Sequence, residues 1–463
     1  MSKVFDLTEG SIIKKLFLLA LPVLLTTISQ MAYNLTDMFW IGRVDNIGLV
    51  EKEAISAIGT AGYVTWFAFG LILIAKIGTS VKVSHAVGEK QWGDLNRYAS
   101  NGLLLQLLLG SVFSVLIFIF KRPILSIFDI SSPQVVIYAM QYLSIVGGLL
   151  VFQFVSNGFA AINEGLGKTK TNFRIMVVGL IVNMILDPIL ILVFRLGVQG
   201  AAIATVIAQG LTLGVFFLHH HWQKEKLYRF HVSEFDPKAM QDILHIGLPA
   251  GIQSMVFTSI SIYIARMVFR FGDDVMAAQR VGTQIEQLTW MISGGFQAAL
   301  TVFVGQNFGA KAFGRIRKGF GIISFVLLPY AFIVGLMLFF FGEELMGLFL
   351  DDPVTKAFGM RYLRIISLAQ VFMMAEAIGA GVFNGIGRTY VPSIIGVIGN
   401  GIRIPLAMFL ILSFQEEGIW WALNYSDIFK GIILFAGAVI VLINIEKIRR
   451  KQSKKLIVPA EGV

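Results

Sequence analysis

The stretch "SVKVSHAVGEKQWGDLNR" (residues 80–97) returns as "TVFVGQNFGAKAFGRIRK" (residues 301–318), sharing Val81/Val302, Val83/Val304, Gly88/Gly309, Lys90/Lys311 and Gly93/Gly314. The offset is 221 positions. Two more blocks repeat at an offset of 220: "MQYLSIV" from Met140 with "MRYLRII" from Met360, and "GLGKTK" from Gly165 with "GIGRTY" from Gly385. Three blocks at nearly one offset make the chain a duplication.

Composition says what is duplicated. Of 463 residues, 56% are hydrophobic and only 14% charged, and the mean hydropathy of +0.76 exceeds what a water-soluble domain can cover with polar surface. The chain is an integral membrane protein. A helix needs about 20 apolar residues to cross the hydrocarbon, and twelve stretches qualify, near 15–41, 54–80, 98–120, 134–161, 172–194, 200–218, 240–265, 276–305, 319–342, 360–383, 391–413 and 418–444. Barrel strands would alternate in shorter segments. The first stretch is too long for a signal peptide and reads as a retained helix. With no cysteine, disulfides, thiolate catalysis and Cys-type metal sites are excluded.

Charge sets the expected orientation. Of the 38 Lys and Arg, most fall on the side shared by both termini, and four (Lys76, Arg280, Arg403, Lys430) fall inside spans. The positive-inside rule then places both termini in the cytoplasm, and the tail from 447 to 463, with its "EKIRRKQSKK", reads as an anchor on anionic lipid rather than a nucleic-acid site. The polar stretch "HHHWQKEKLYRFHVSEFDPK" at 219–238 divides the chain into an N-terminal lobe (1–218), a cytoplasmic linker (219–238) and a C-terminal lobe (239–446). Its three adjacent histidines cannot converge on one metal ion.

The expected architecture is thus all-α, with two six-helix lobes related by a pseudo-two-fold axis along the membrane normal, as in two-lobed transporters. Function belongs where the lobes differ. Aligning "LALP" (19–22) with "IGLP" (246–249) sets Ile264 opposite Asp37, and aligning "NMILDP" (183–188) with "NGIRIP" (400–405) sets Ile404 opposite Asp187. A carboxylate at the centre of a span costs about 2.5–3.5 kcal/mol on insertion scales, so it normally faces protein or a wet cavity.

Spacing favours one cavity. Tyr33/Asp37, Asn183/Asp187 and Ala201/Thr205 are each i, i+4 pairs sharing a helix face. Pro22 and Pro188 lack an N–H and free a carbonyl one turn earlier, at Leu18 and Met184. Oxygens from Asp37, Asn183, Asp187 and Thr205 suit a proton relay or a hard monovalent cation such as Na+. The competing reading makes each acid a hydrogen-bonded fastener between helices. In the second lobe, Glu286 is expected to pair with Arg280 or another intramembrane cation, Glu376 with Arg403, and Asp427 with Lys430 near the membrane face.

On the motifs "YNLTDMFWIG", "GEKQWGDLNR", "NGIGRTY" and "NMILDPILI", the chain resembles the multidrug and toxic compound extrusion (MATE) family, and its first half resembles the DinF-like branch. That resemblance implies a cation-coupled antiporter, driven by H+ or Na+, that exports cationic or amphipathic organic compounds through a central cleft in the cytoplasmic membrane. By position it implies that Asp37 is the first-helix acid and that Asn183, Asp187 and Thr205 are cation-site residues, with Ala201 supplying its carbonyl. Tyr33 and Tyr142 become cavity tyrosines, and Pro22 the first-helix proline associated with bending on protonation. The other branch of the family uses second-lobe acids, which leaves Glu286 and Glu376 as further candidates.

No catalytic residues or cofactor are expected. HExxH is absent, GxSxG has no partners in register, and the histidines at 85, 219, 220, 221, 231 and 245 lie near span ends, so an enzyme is disfavoured. A lipid-linked oligosaccharide flippase is the nearest alternative, but it would favour a cationic cleft. The expected partners are small organic cations and the bilayer, the expected state a monomer.

Overall fold

In the computed structural model the described residues are 5–47, 50–128, 130, 132–222, 228 and 235–447. Most of the 219–238 stretch and of the basic tail lies outside them. The first half comprises α1 (Ile12–Ile41), α2 (Glu51–Glu89), α3 (Trp92–Ser126), α4 (Pro133–Ile145), α5 (Val151–Gly165), α6 (Thr169–Pro188) and α7 (Val198–Trp222). The second comprises α8 (Pro237–Phe269), α9 (Asp273–Gly309), α10 (Phe313–Phe340), the short α11 (Gly342–Gly347), α12 (Pro353–Ser367), α13 (Gln370–Gly385), α14 (Tyr390–Phe414) and α15 (Glu416–Ile443).

Among the described residues, ten helices are long and apolar enough to cross a membrane, and two bent pairs, each counted as one span, bring the number to twelve. The pairs are α4 with α5, bent by 42°, and α12 with α13, bent by 48°. Each is the fourth span of its half, expected as continuous and found broken. Each also starts alike: Ser132 and Asp352 accept from the backbone N–H three residues on, and Pro133 and Pro353 take the first helical turn, where a missing N–H costs nothing.

The sequence repeat is a packing repeat. A Cβ on Gly165 would fall 2.8 Å from both the Ser80 carbonyl and Val83 Cβ; one on Gly385 would fall 2.7 Å from the Thr301 carbonyl and 2.6 Å from Val304 Cβ. The shared glycines and valines are therefore one close helix contact, made twice. Gly167 and Gly387 follow in the left-handed region at φ 74° and 77°, which only glycine enters without strain. Lys90, just after α2, and Lys311, two residues after α9, take that same conformation, both at φ 57°.

The chain forms two compact units: Met1–Asp6 with Leu19–Met255, and Leu7–Leu18 with Val256–Val463. The division thus runs through α1 and α8 rather than through residues 219–238. Inside the first unit, α2 and the start of α8 touch at backbone distance, since a Cβ on Gly247 would lie 1.6 Å from the Ile74 carbonyl and one on Gly78 would lie 2.2 Å from that of Ile243. Polar ties reinforce the contact: Lys82 Nζ and the Tyr98 hydroxyl both donate to Asp242, at 3.0 and 2.8 Å, and Arg97 pairs with Asp236. Lys76, an intramembrane cation, is neutralised by Glu164 at 3.2 Å. In the second unit, Arg315 donates to the carbonyls of Leu7, Glu9 and Gly10, and Gln306 accepts from the Leu7 N–H.

Candidate functional site

In the first unit, α1, α4, α6 and α7 bring the expected oxygens into one buried cluster. The Tyr33 hydroxyl lies 3.2 Å from Thr205 Oγ1, and the Tyr142 hydroxyl approaches the same threonine. Asn183 Nδ2 donates to Asp187 Oδ1 at 3.0 Å. Asp37 is 9% exposed and Asp187 0%, and the two carboxylates are near enough to act on each other electrostatically. Ala201 is fully buried one turn before Thr205.

Satisfaction in the cluster is incomplete. Asp37 Oδ1, Asn183 Oδ1 and Asp187 Oδ2 are buried without a hydrogen-bond partner. Buried acceptors are normally paired, because an unpaired one carries its full desolvation cost. Three unpaired oxygens in one cluster, two of them on carboxylates, form an acceptor-only set that a proton or a small cation would complete. A pure fastener would pair its oxygens with donors.

The prolines shape the approach. Pro22 lies inside an uninterrupted α1, and Leu18, whose carbonyl it deprives of a donor, ends the segment that belongs to the second unit. Pro188 closes α6 and is followed by a π-helical turn at Ile189–Val193. Such turns recur at functional sites.

The second unit departs from expectation. Glu286 does not pair with Arg280, which is exposed; six residues along a helix carry a side chain about two thirds of a turn past the same face. Its oxygens accept instead from Tyr362 at 3.1 Å and Trp290 at 3.2 Å. Glu376 pairs with Lys430 at 3.1 Å rather than with Arg403, because Arg403 is taken by Asp427 and Ser426. Asp427 also meets Lys430 at 2.9 Å, but the pair is not near the membrane face: Asp427 sits eleven residues into α15, about 17 Å along it. Two acids and two bases thus neutralise one another in a buried network whose extent sequence reasoning missed. The signal available was that Arg403 and Lys430 share three spans of the second half with Glu376 and Asp427, where spacing ties neither base to one acid alone.

Among the described residues, no three His, Asp or Glu side chains gather in a way that could hold a metal ion.

The MatE family model matches residues 22–189 and 249–409, once in each half. The chain belongs to this family, and it is a membrane transporter rather than an enzyme. It is similar to "Probable multidrug resistance protein YpnP" of Bacillus subtilis, at 26% identity over 94% of this chain and 96% of the relative. It is likewise similar to "Probable multidrug resistance protein NorM" of Thermotoga maritima, at 26% identity over 91% and 90%. Its fold matches a solved multidrug resistance MATE family transporter of the MOP superfamily in an outward-facing conformation, with a TM-score of 0.87 at 20% identity over 95% of this chain and 98% of the other.

Proposed function

We propose that this protein is a cation-coupled antiporter exporting cationic or amphipathic organic compounds by alternating access, with Asp37 and Asp187 as the coupling acids and Asn183, Thr205 and the Ala201 carbonyl completing the ion site. The observation carrying this reading is the trio of buried, unpartnered oxygens on Asp37, Asn183 and Asp187. Two neighbouring carboxylates in a low dielectric repel when both are ionised, so uptake of one H+ or Na+ relieves them. Substrate and coupling ion then compete for the same charge, directly or through a bend of α1 at Pro22. Moving a two-state transporter from 1:99 to 99:1 needs about 5.5 kcal/mol of differential binding, a scale two desolvated acids can supply.

The confinement of these acids to the first half favours the DinF-like branch, and the Lys/Arg bias favours cytoplasmic termini. We assign the transport lobes as 1–218 and 239–446, acting in a monomer. In the second half, Glu286 and Glu376 are engaged by Tyr362, Trp290 and Lys430, which supports a structural role for them.

Reconstitution into liposomes tests the proposal. An imposed pH or Na+ gradient, applied singly, should drive ethidium transport, and whichever gradient works identifies the ion. Transport of lipid-linked oligosaccharide with no response to either gradient would overturn it.

A further inference from the structure

Away from the acid cluster, the first unit carries a crevice of about 210 Å³ between α3, α5 and α7, walled by Leu103, Leu107, Val155, Phe159, Leu213 and Phe217. Its wall is apolar throughout. Leu107 and Phe217 are 41% and 45% exposed, and in a bilayer that exposure is to acyl chains. The volume falls below the ~300–1,000 Å³ of drug-sized pockets, so it suits a length of hydrocarbon chain rather than a whole drug.

One end of the crevice is different in kind. The Phe159 ring lies 6.2 Å from that of His220, which stacks on Tyr228 at 4.5 Å. Beside His220, His219 is within electrostatic range of Lys168 in the turn between α5 and α6. Burial holds the Lys168 ammonium below the usual lysine range, a strain on the charge that a bound anion would relieve. Trp222, 73% exposed at the end of α7, marks this level as the interface, where tryptophan concentrates. The trough ends at headgroup depth in the Lys168 ammonium and the His219 imidazole, which burial and Lys168 hold below the usual histidine range as a neutral hydrogen-bond partner. An apolar trough with that end is complementary to an amphiphile with a negative head.

We propose that this crevice is a binding site for an anionic phospholipid, one acyl chain lying between α3, α5 and α7 and the phosphate resting on Lys168 and His219. An organic cation would be repelled by that end, and a zwitterionic lipid would gain less from it. The inference does not depend on the antiport reading.

Native mass spectrometry of the purified full-length protein, titrated with phosphatidylglycerol and phosphatidylcholine of identical chains, tests it. The wild type should retain phosphatidylglycerol about tenfold better. In K168Q/H219Q that preference should fall to about one, and L213W, which fills the crevice, should lower retention of both lipids. Phosphatidylglycerol carrying a photoreactive acyl chain should label α3, α5 or α7 of the unaltered protein, and unlabelled phosphatidylglycerol should compete. Equal retention of the two lipids by the wild type, or labelling confined to other helices, would overturn the site. Competition by oleate as effective as by phosphatidylglycerol would overturn the phosphate assignment.

Discussion

Asn183 donates its amide to Asp187 Oδ1 at 3.0 Å, and this bond leaves Asn183 Oδ1 and Asp187 Oδ2 buried and facing no donor. The bond fixes the carboxylate without satisfying it. In the proposed cycle a proton or small cation would satisfy it and then leave.

Asp187→Asn should therefore lower gradient-driven ethidium efflux by about tenfold or more, since a hydrogen bond to a charged group is worth about 1.5–3 kcal/mol and tenfold corresponds to 1.4 kcal/mol. Asp37→Asn should abolish drug resistance with expression intact. Full resistance in cells carrying either variant at wild-type abundance would remove that acid from the coupling site.

Thr205→Val keeps the shape of the side chain but withdraws the hydroxyl that meets Tyr33. One neutral hydrogen bond is worth about 0.5–1.5 kcal/mol, so coupling-ion affinity should weaken about two- to tenfold. Ion-dependent efflux, measured across a range of driving-ion concentrations, reads the shift. An unchanged half-saturation would show that the hydroxyl plays no part.

The second unit should fail differently. Lys430→Met strands Glu376 and leaves Asp427 to Arg403 alone, and breaking a buried ion pair from one side costs about 3–5 kcal/mol. Thermal unfolding in detergent should show a large loss, partly restored by adding Glu376→Gln. If K430M melts with the wild type, the network contributes nothing to stability.

Gly247→Ala places a Cβ against the Ile74 carbonyl, at 1.6 Å in the present geometry. Backbone cannot yield as a flexible side chain can, so the destabilisation should reach or exceed the ~1–3 kcal/mol typical of overpacking. A melting point equal to that of the wild type would mean that α2 and α8 separate easily.

Asp236 lies outside the spans, and its hydrogen bond from Arg97 holds its carboxyl below the usual carboxylate range. A carboxylate whose folded pKa is depressed contributes stability above its unfolded value and loses that contribution as pH falls through the folded one. Protease cleavage beside Asp236 should thus stay slow at neutral pH and accelerate below about pH 4, the ordinary aspartate range. In Asp236→Asn it should be fast at both.

Much of this was legible in sequence because the lipid phase imposes simple rules. Apolar length marks spans, duplication shows as repeated motifs, and an acid in a span stands out by its cost. Tyr33 with Asp37, Asn183 with Asp187 and Ala201 with Thr205 come from three helices, and helical spacing within each was enough to aim them at a common cluster, whereas Tyr142 on a fourth helix came only from the family resemblance. Broken spans were not legible, since Gly147 and Gly148 have no counterpart glycines at Ser367 and Leu368, where the second half bends as well. Pairings in the second half were misread because Glu376, Arg403, Asp427 and Lys430 lie on three helices. Which base meets which acid depends on rotations between helices that spacing along any one of them cannot supply.

Leu7–Leu18 is synthesised before residues 19–255, yet it packs with the unit that starts at Val256. During synthesis that segment must wait, undocked, while residues 19–255 are made. Halves expressed from separate genes should therefore rejoin only if both are inserted together, and a stop after residue 255 would leave a product whose leading end has nowhere to go.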